Sequence, residues 1–121
     1  MVRLLYDTNI LIDFLVGDQR AQAELTENAN RAISVITWME VMVGSTVHDE
    51  MATRSFLRAF TVIGIDTAVQ ERAVSVRRSR RIRLPDAIIW ATAQVHGRVL
   101  VTRNIKDFPA REPGIRVPYT V

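Results

Sequence analysis

Four acidic residues stand at positions where a chain of this pattern turns from strand to helix. Asp7 ends the apolar run VRLLY. Glu40 follows a second short apolar stretch. Asp86 comes directly after Pro85 at the mouth of an apolar segment, and Asp107 follows a third apolar run, RVLV. Each has a plain structural use. Asp7 suits a helix N-cap. Glu40 completes a capping box with Thr37 in Thr37-Trp38-Met39-Glu40. Asp86 sits well beside a helix dipole, and Asp107 fits turn chemistry with Asn104. Together they point further. In open α/β sheets ligands bind outside the carboxyl ends of the strands, so four such acids can converge. Carboxylates sharing a pocket stay ionised only when cations neutralise them. With no Cys and only two His in the chain, the donors are oxygens, which select the hard ions Mg²⁺ or Mn²⁺. Thr102 and Asn104 add neutral oxygens beside Asp107.

The elements that must position these groups follow from periodicity. Val2, Leu4, Leu5 and Tyr6 read as a strand buried on both faces. A helix capped by Asp7 or Thr8 runs to about Val16, with Gly17 as its stop. Asp18 caps a second helix to about Asn28. Ala32–Ile36 is the second strand, and Thr37 starts a helix ending near Gly44. A helix at about Asp49–Phe60 and a strand at Thr61–Ile65 follow. Asp66 caps a long helix. Pro85 opens another through His96, stopped by Gly97. Val99–Val101 is a fourth strand and Ile115–Val117 a fifth, at an edge because of Pro118. The segment after Phe108 is the least structured. Strands alternating with helices imply a parallel sheet covered on both faces.

At 121 residues, 48% hydrophobic and 24% charged, the composition is that of one ordinary globular domain. Disulfides and thiolate zinc sites are excluded. No apolar run is long enough for a membrane span, and the N-terminus does not read as a signal peptide, so the expectation is a cytoplasmic protein with no membrane partner. The formal charge is +3, and all basic residues except Lys106 are Arg. Five of them, Arg77, Arg78, Arg80, Arg81 and Arg83, fall in RRSRRIR immediately before Asp86. Such a run suits bidentate phosphate contacts; its simpler use is a solvated helix end. An acidic pocket on a basic, Arg-rich chain fits metal-assisted cleavage of a polyphosphate backbone. Trp38 and Trp90 read as core, and His96 as a helix-end residue. Asp13, Asp18, Glu24, Glu27, Asp49, Glu50, Asp66, Glu71 and Glu112 read as solvated positions or caps.

LLYDTNILID, SVITWMEVMVG and LPDAIIWATAQVHGRVLVTRNIKDF together resemble the PIN domain, and within it the VapC-type toxins of bacterial toxin–antitoxin pairs. The resemblance covers nearly the whole chain, so residues 1–121 are expected to be one PIN domain. It implies an α/β fold with strand order 3-2-1-4-5 and a Mg²⁺- or Mn²⁺-dependent endoribonuclease. Asp7, Glu40 and Asp86 match the family's three main acidic positions. The fourth falls on Asn104, which offers an amide oxygen without charge. Asp107 is placed to compensate, and one ion or two remain open. Thr102 matches the hydroxyl of the same motif, and Thr8 is a helper beside Asp7. The resemblance also implies a VapB-type antitoxin partner and a homodimer. The alternative is a PIN-fold protein, weak or inactive in catalysis, that binds RNA or a partner. A phosphoacceptor signalling domain fits poorly: it wants adjacent acids early and a Lys late, whereas Asp7 is followed by Thr8-Asn9.

Overall fold

A computed structural model describes residues 2–121. The chain runs β1 (Leu4–Tyr6), α1 (Thr8–Leu15), α2 (Gln19–Glu27), β2 (Arg31–Ser34), α3 (Val35–Val43), α4 (Glu50–Leu57), β3 (Thr61–Ile63), α5 (Thr67–Arg80), α6 (Leu84–Val95), β4 (Val99–Val101) and β5 (Ile115–Arg116). The five strands form one parallel sheet in the order β3-β2-β1-β4-β5. This is the α/β fold and strand order expected.

β1 is the central strand, and its three residues are buried. Alternation sends Leu4 and Tyr6 to one face and Leu5 to the other. The first face packs with Ile10, Leu11, Leu25, Ile33, Val41 and Leu57. The second packs with Ile89, Trp90, Leu100 and Phe108. Val2, expected to belong to this strand, precedes it and is exposed.

Several boundaries differ from the sequence reading. β2 ends at Ser34 rather than Ile36, because Ser34 takes the N-cap of α3 and accepts from the Ile36 amide at 3.1 Å. Helix α3 therefore starts before Thr37, which is buried within it, and the Thr37–Glu40 capping box does not form. β3 stops at Ile63, short of Ile65. Asp49 precedes α4 but makes no side-chain cap; it accepts instead from the Thr46 amide at 2.6 Å. The segment after Phe108 is not loose. β5 pairs with β4 at Leu100↔Ile115 and Val101↔Arg116.

Two carboxylates read as solvated help anchor that segment, Glu24 through Arg116 and Asp13 through the Tyr119 hydroxyl at 2.8 Å. Glu24, only 4% exposed, accepts from Arg116 Nε at 2.6 Å and Nη2 at 3.0 Å. Asp13 is also buried and accepts from Arg103 Nε at 2.6 Å and Nη2 at 3.0 Å. Bidentate pairing is what makes a buried carboxylate tolerable.

Candidate active site

Asp7 follows β1 as the N-cap of α1. Cap and site position therefore coincide, because the helix must begin where the central strand ends. Its Oδ1 accepts from the Thr8 amide at 2.7 Å. Its Oδ2 accepts from Thr102 Oγ1 at 2.7 Å and Asn9 Nδ2 at 3.1 Å. Thr102 follows β4, the neighbour of β1, and is fully buried. Three donors on a carboxylate with about four acceptor directions leave one direction open on Oδ1.

Glu40 reaches the same place from α3. With Ser34 as the cap, its carboxylate is released from the Thr37 amide and meets Thr8 Oγ1 at 2.6 Å. Thr8 Oγ1 also lies 3.0 Å from Thr37 Oγ1; its single proton goes to the charged partner. Asp86, third residue of α6, is buried to 8% exposure. Among the described residues its cationic partner is Arg83, with Nε 3.4 Å from Oδ2.

Asp7, Thr8, Asn9, Glu40, Arg83, Asp86, Arg103 and Asn104 line one open cleft of about 290 Å³. The structure thus brings together five of the expected site residues around Asp7: Thr8, Glu40, Asp86, Asn104 and Arg83. Thr102 stands behind Asp7. Asp107 does not line the cleft. It is joined to Asn104, accepting from Nδ2 at 3.0 Å while its own amide donates to Asn104 Oδ1 at 3.3 Å. Its charge still reaches Asp86.

The Arg run divides. Arg77, Arg78 and Arg80 close α5, and Arg81 caps it in the left-handed region at φ 55°, which costs a non-glycine residue about 1 kcal/mol. Arg80 is engaged with Glu112 at 2.7 Å and lies over the Trp90 ring. Arg77, Arg78 and Arg81 are exposed. Only Arg83 of the five lines the cleft.

Burial pushes the Asp7 carboxyl up to about 6, and the charges of Asp86 and Glu40 add to the rise against the bonds from Thr102 and Thr8. Burial also raises Asp86, with Arg83 opposing it. Among the described residues, no three His, Cys, Asp or Glu side chains form a ready-made metal cage. The cleft nevertheless fits a hard divalent ion. Its metal-binding donors are all oxygens, Asp7 keeps a free acceptor direction, and among the described residues its partners are neutral donors only. Mg²⁺ is ordinarily held by one or two carboxylates with water and substrate phosphate completing the shell.

This has a consequence for the metal-free protein. Asp7 ordinarily titrates at 3.8, so between that value and about 6 the folded state binds more protons than the unfolded one. Stability should therefore fall as pH rises from about 4 to about 7, by roughly 3 kcal/mol at most. Asp7→Asn removes this titration. Urea melts of both proteins in EDTA across that range should show wild type losing ground to the variant as pH rises. A pH-independent difference would show that Asp7 titrates normally.

Three contributors were not singled out by sequence: Asn9, Asp13 and Arg103. Asn9 had a signal, since it follows Asp7 by two residues. It donates to Asp7 and to Thr102 Oγ1 at 3.3 Å, and accepts from the Arg103 amide at 3.3 Å. Asp13 and Arg103 had none, because they meet across 90 residues.

A family model described as PIN domain matches residues 4–111. The chain is 48% identical to one in a toxin-antitoxin complex from Klebsiella pneumoniae, covering 98% of this chain and 99% of that one, with a TM-score of 0.92. It is 26% identical to a chain of DNA-bound VapBC from Salmonella typhimurium, covering 96% of each, at a TM-score of 0.81. FitAcB from Neisseria gonorrhoeae shares the fold at 23% identity and a TM-score of 0.80, covering 95% of this chain and 97% of that one. A search of curated proteins found no match.

Proposed function

The chain belongs to the PIN-domain family, and from that premise we propose that it is the endoribonuclease toxin of a VapBC-type pair, hydrolysing RNA phosphodiesters with Mg²⁺ or Mn²⁺. The observation that carries this reading is the convergence of Asp7, Glu40 and Asp86 on one cleft with a desolvated Asp7 at its floor that pairs with no cation among the described residues. Kinship with the Klebsiella toxin-antitoxin complex supports a VapB-type antitoxin as partner, and the family resemblance supports a homodimer.

A divalent ion, when bound, would supply charge to polarise the phosphodiester and acidify an attacking water. Asp7 and Asp86 are the residues that would hold it. Glu40, fixed through one oxygen by Thr8, presents its other oxygen to orient that water and accept its proton. Arg83 at the cleft wall meets the phosphate. Asn104 at the cleft wall serves the leaving-group side, held there by Asp107, and its lack of charge would make a second ion weaker. The alternative, a PIN-fold protein that binds RNA without cutting it, draws on the engagement of the Asn104 amide with Asp107.

The test is cleavage of labelled RNA by antitoxin-free protein, with EDTA and after return of Mg²⁺ or Mn²⁺. Loss and recovery of cleavage are expected. Binding without cleavage at any metal concentration would favour the alternative, and cleavage indifferent to EDTA would sink the metal reading.

Arg77, Arg78 and Arg81 are assigned to RNA phosphates outside the cleft, with Arg83 inside it and Arg80 bracing the turn. Replacing Arg77, Arg78 and Arg81 with Gln should weaken RNA binding whatever the sequence. It should also reduce the slope of log K against log salt by about 2, at roughly 0.7 per lost contact. An unchanged slope would remove these residues from the RNA path.

A further inference from the structure

The cleft has a support that none of the expected site residues explains. Residues 102–104 carry two site groups, Thr102 beneath Asp7 and Asn104 at the cleft wall. Between them, Arg103 sends its guanidinium onto Asp13, two turns along the helix that Asp7 caps. Asp13 in turn accepts from the Tyr119 hydroxyl at 2.8 Å. Tyr119 is held from its other side: Arg20 lies over its ring, 4.6 Å from the centroid, and donates to the Thr120 carbonyl at 2.8 Å.

We propose that Asp13, Arg103 and Tyr119 are positioning residues that lock the Thr102–Asn104 segment against α1, making the C-terminal segment a working part of the metal cleft. The bidentate geometry fixes Arg103 in orientation as well as distance. Its backbone amide is fixed separately by Asn9. Thr102 is held on one side by its own amide, which donates to the Arg116 carbonyl at 3.0 Å, and on the other by Arg103, and its Oγ1 donates to Asp7. A lone surface ion pair would not do this. Here the Asp13 and Arg103 side chains are 11% and 27% exposed, so water competes little for the contact. Burial alone would raise the Asp13 carboxyl, and the Arg103 and Tyr119 hydrogen bonds bring it below its usual range, so it stays an anion for Arg103.

The activity arm rests on the ribonuclease reading; the metal-binding arm does not. Asp13→Asn, Arg103→Lys and Tyr119→Phe are compared with Glu24→Gln, which loosens the other buried pair at the Arg116 side chain and leaves the Arg116 carbonyl on the Thr102 amide through strand pairing. Mn²⁺ affinity is measured by calorimetry and RNA cleavage by kcat and KM, each on folded protein well below its melting temperature. Outer support of a metal ligand is worth about 10- to 100-fold. Asp13→Asn and Arg103→Lys should therefore weaken Mn²⁺ binding and lower kcat by about that factor, with KM changed less than about twofold. Tyr119→Phe, which removes one oxygen and is the variant least able to unfold the chain, should fall in the same direction by a smaller factor. Glu24→Gln should leave both quantities alone. Wild-type Mn²⁺ affinity in the first three variants, or an equal loss in Glu24→Gln, overturns the proposal. If wild type binds Mn²⁺ but cuts no RNA, the ribonuclease reading fails and Mn²⁺ affinity alone decides the positioning.

Discussion

Asp7→Asn and Asp86→Asn should each lower RNA cleavage by at least about 100-fold and leave the protein folded. Asn has the shape of Asp and keeps one oxygen for the Thr8 amide, so the α1 cap survives. What is lost is the negative charge that draws a divalent ion to the cleft. At Asp7 that charge is held against burial rather than stabilised by it, so a residue kept there for stability alone would do better as Asn. Rates on a labelled RNA, read beside circular dichroism and a melting curve, make the comparison. Addition of Mn²⁺ should raise the melting temperature of wild type and not of either variant. Wild-type rates from both variants would show that the cleft is not the catalytic centre.

Arg116→Ala should cost about 2 to 3 kcal/mol, a large loss for a half-exposed side chain away from the cleft. Glu24 is almost wholly buried, and removal of its partner leaves its charge unpaired in a site that water reaches only through the space Arg116 vacates. Breaking a buried pair ordinarily costs about 3 to 5 kcal/mol. The lower figure applies because the Arg116 side chain is half exposed, so solvent already screens part of the attraction. The penalty belongs to the orphaned carboxylate, so Glu24→Gln added to Arg116→Ala should recover part of the loss. Denaturant melts of the two single variants and the double variant give the coupling energy. Additive effects would mean that Glu24 and Arg116 contribute independently.

Much of the cleft is legible in the sequence alone. Strand β1 could be recognised as central because it is apolar on both faces, a property only the middle of a covered sheet demands. A strand that ends in Asp-Thr-Asn and passes straight into an apolar helix places Asp7 at the carboxyl edge by covalent geometry. Pro85 did the same for Asp86, since proline fits the first turn of a helix and little else there. In each case the deciding interaction lies within a few residues, so local sequence carries it.

Glu40 shows where that reasoning stops. Ser34 and Thr37 are both competent N-caps three residues apart, and local chemistry scarcely separates them. The sheet decides: β2 stays in register with β3 through Ser34↔Ile63 and turns into helix there, freeing Glu40 for Thr8. Asp13 and Glu24 show it more strongly. Each looks like any polar residue on a helix, and each is buried because an arginine 90 or 92 positions later comes to meet it. By itself the sequence determined the strands, the helices and the corner at which Asp7 stands. Only the tertiary structure decided which carboxylates face the cleft and which are spent on arginines, because a carboxylate can be buried only beside a cation or a set of donors, and here those partners lie far along the chain.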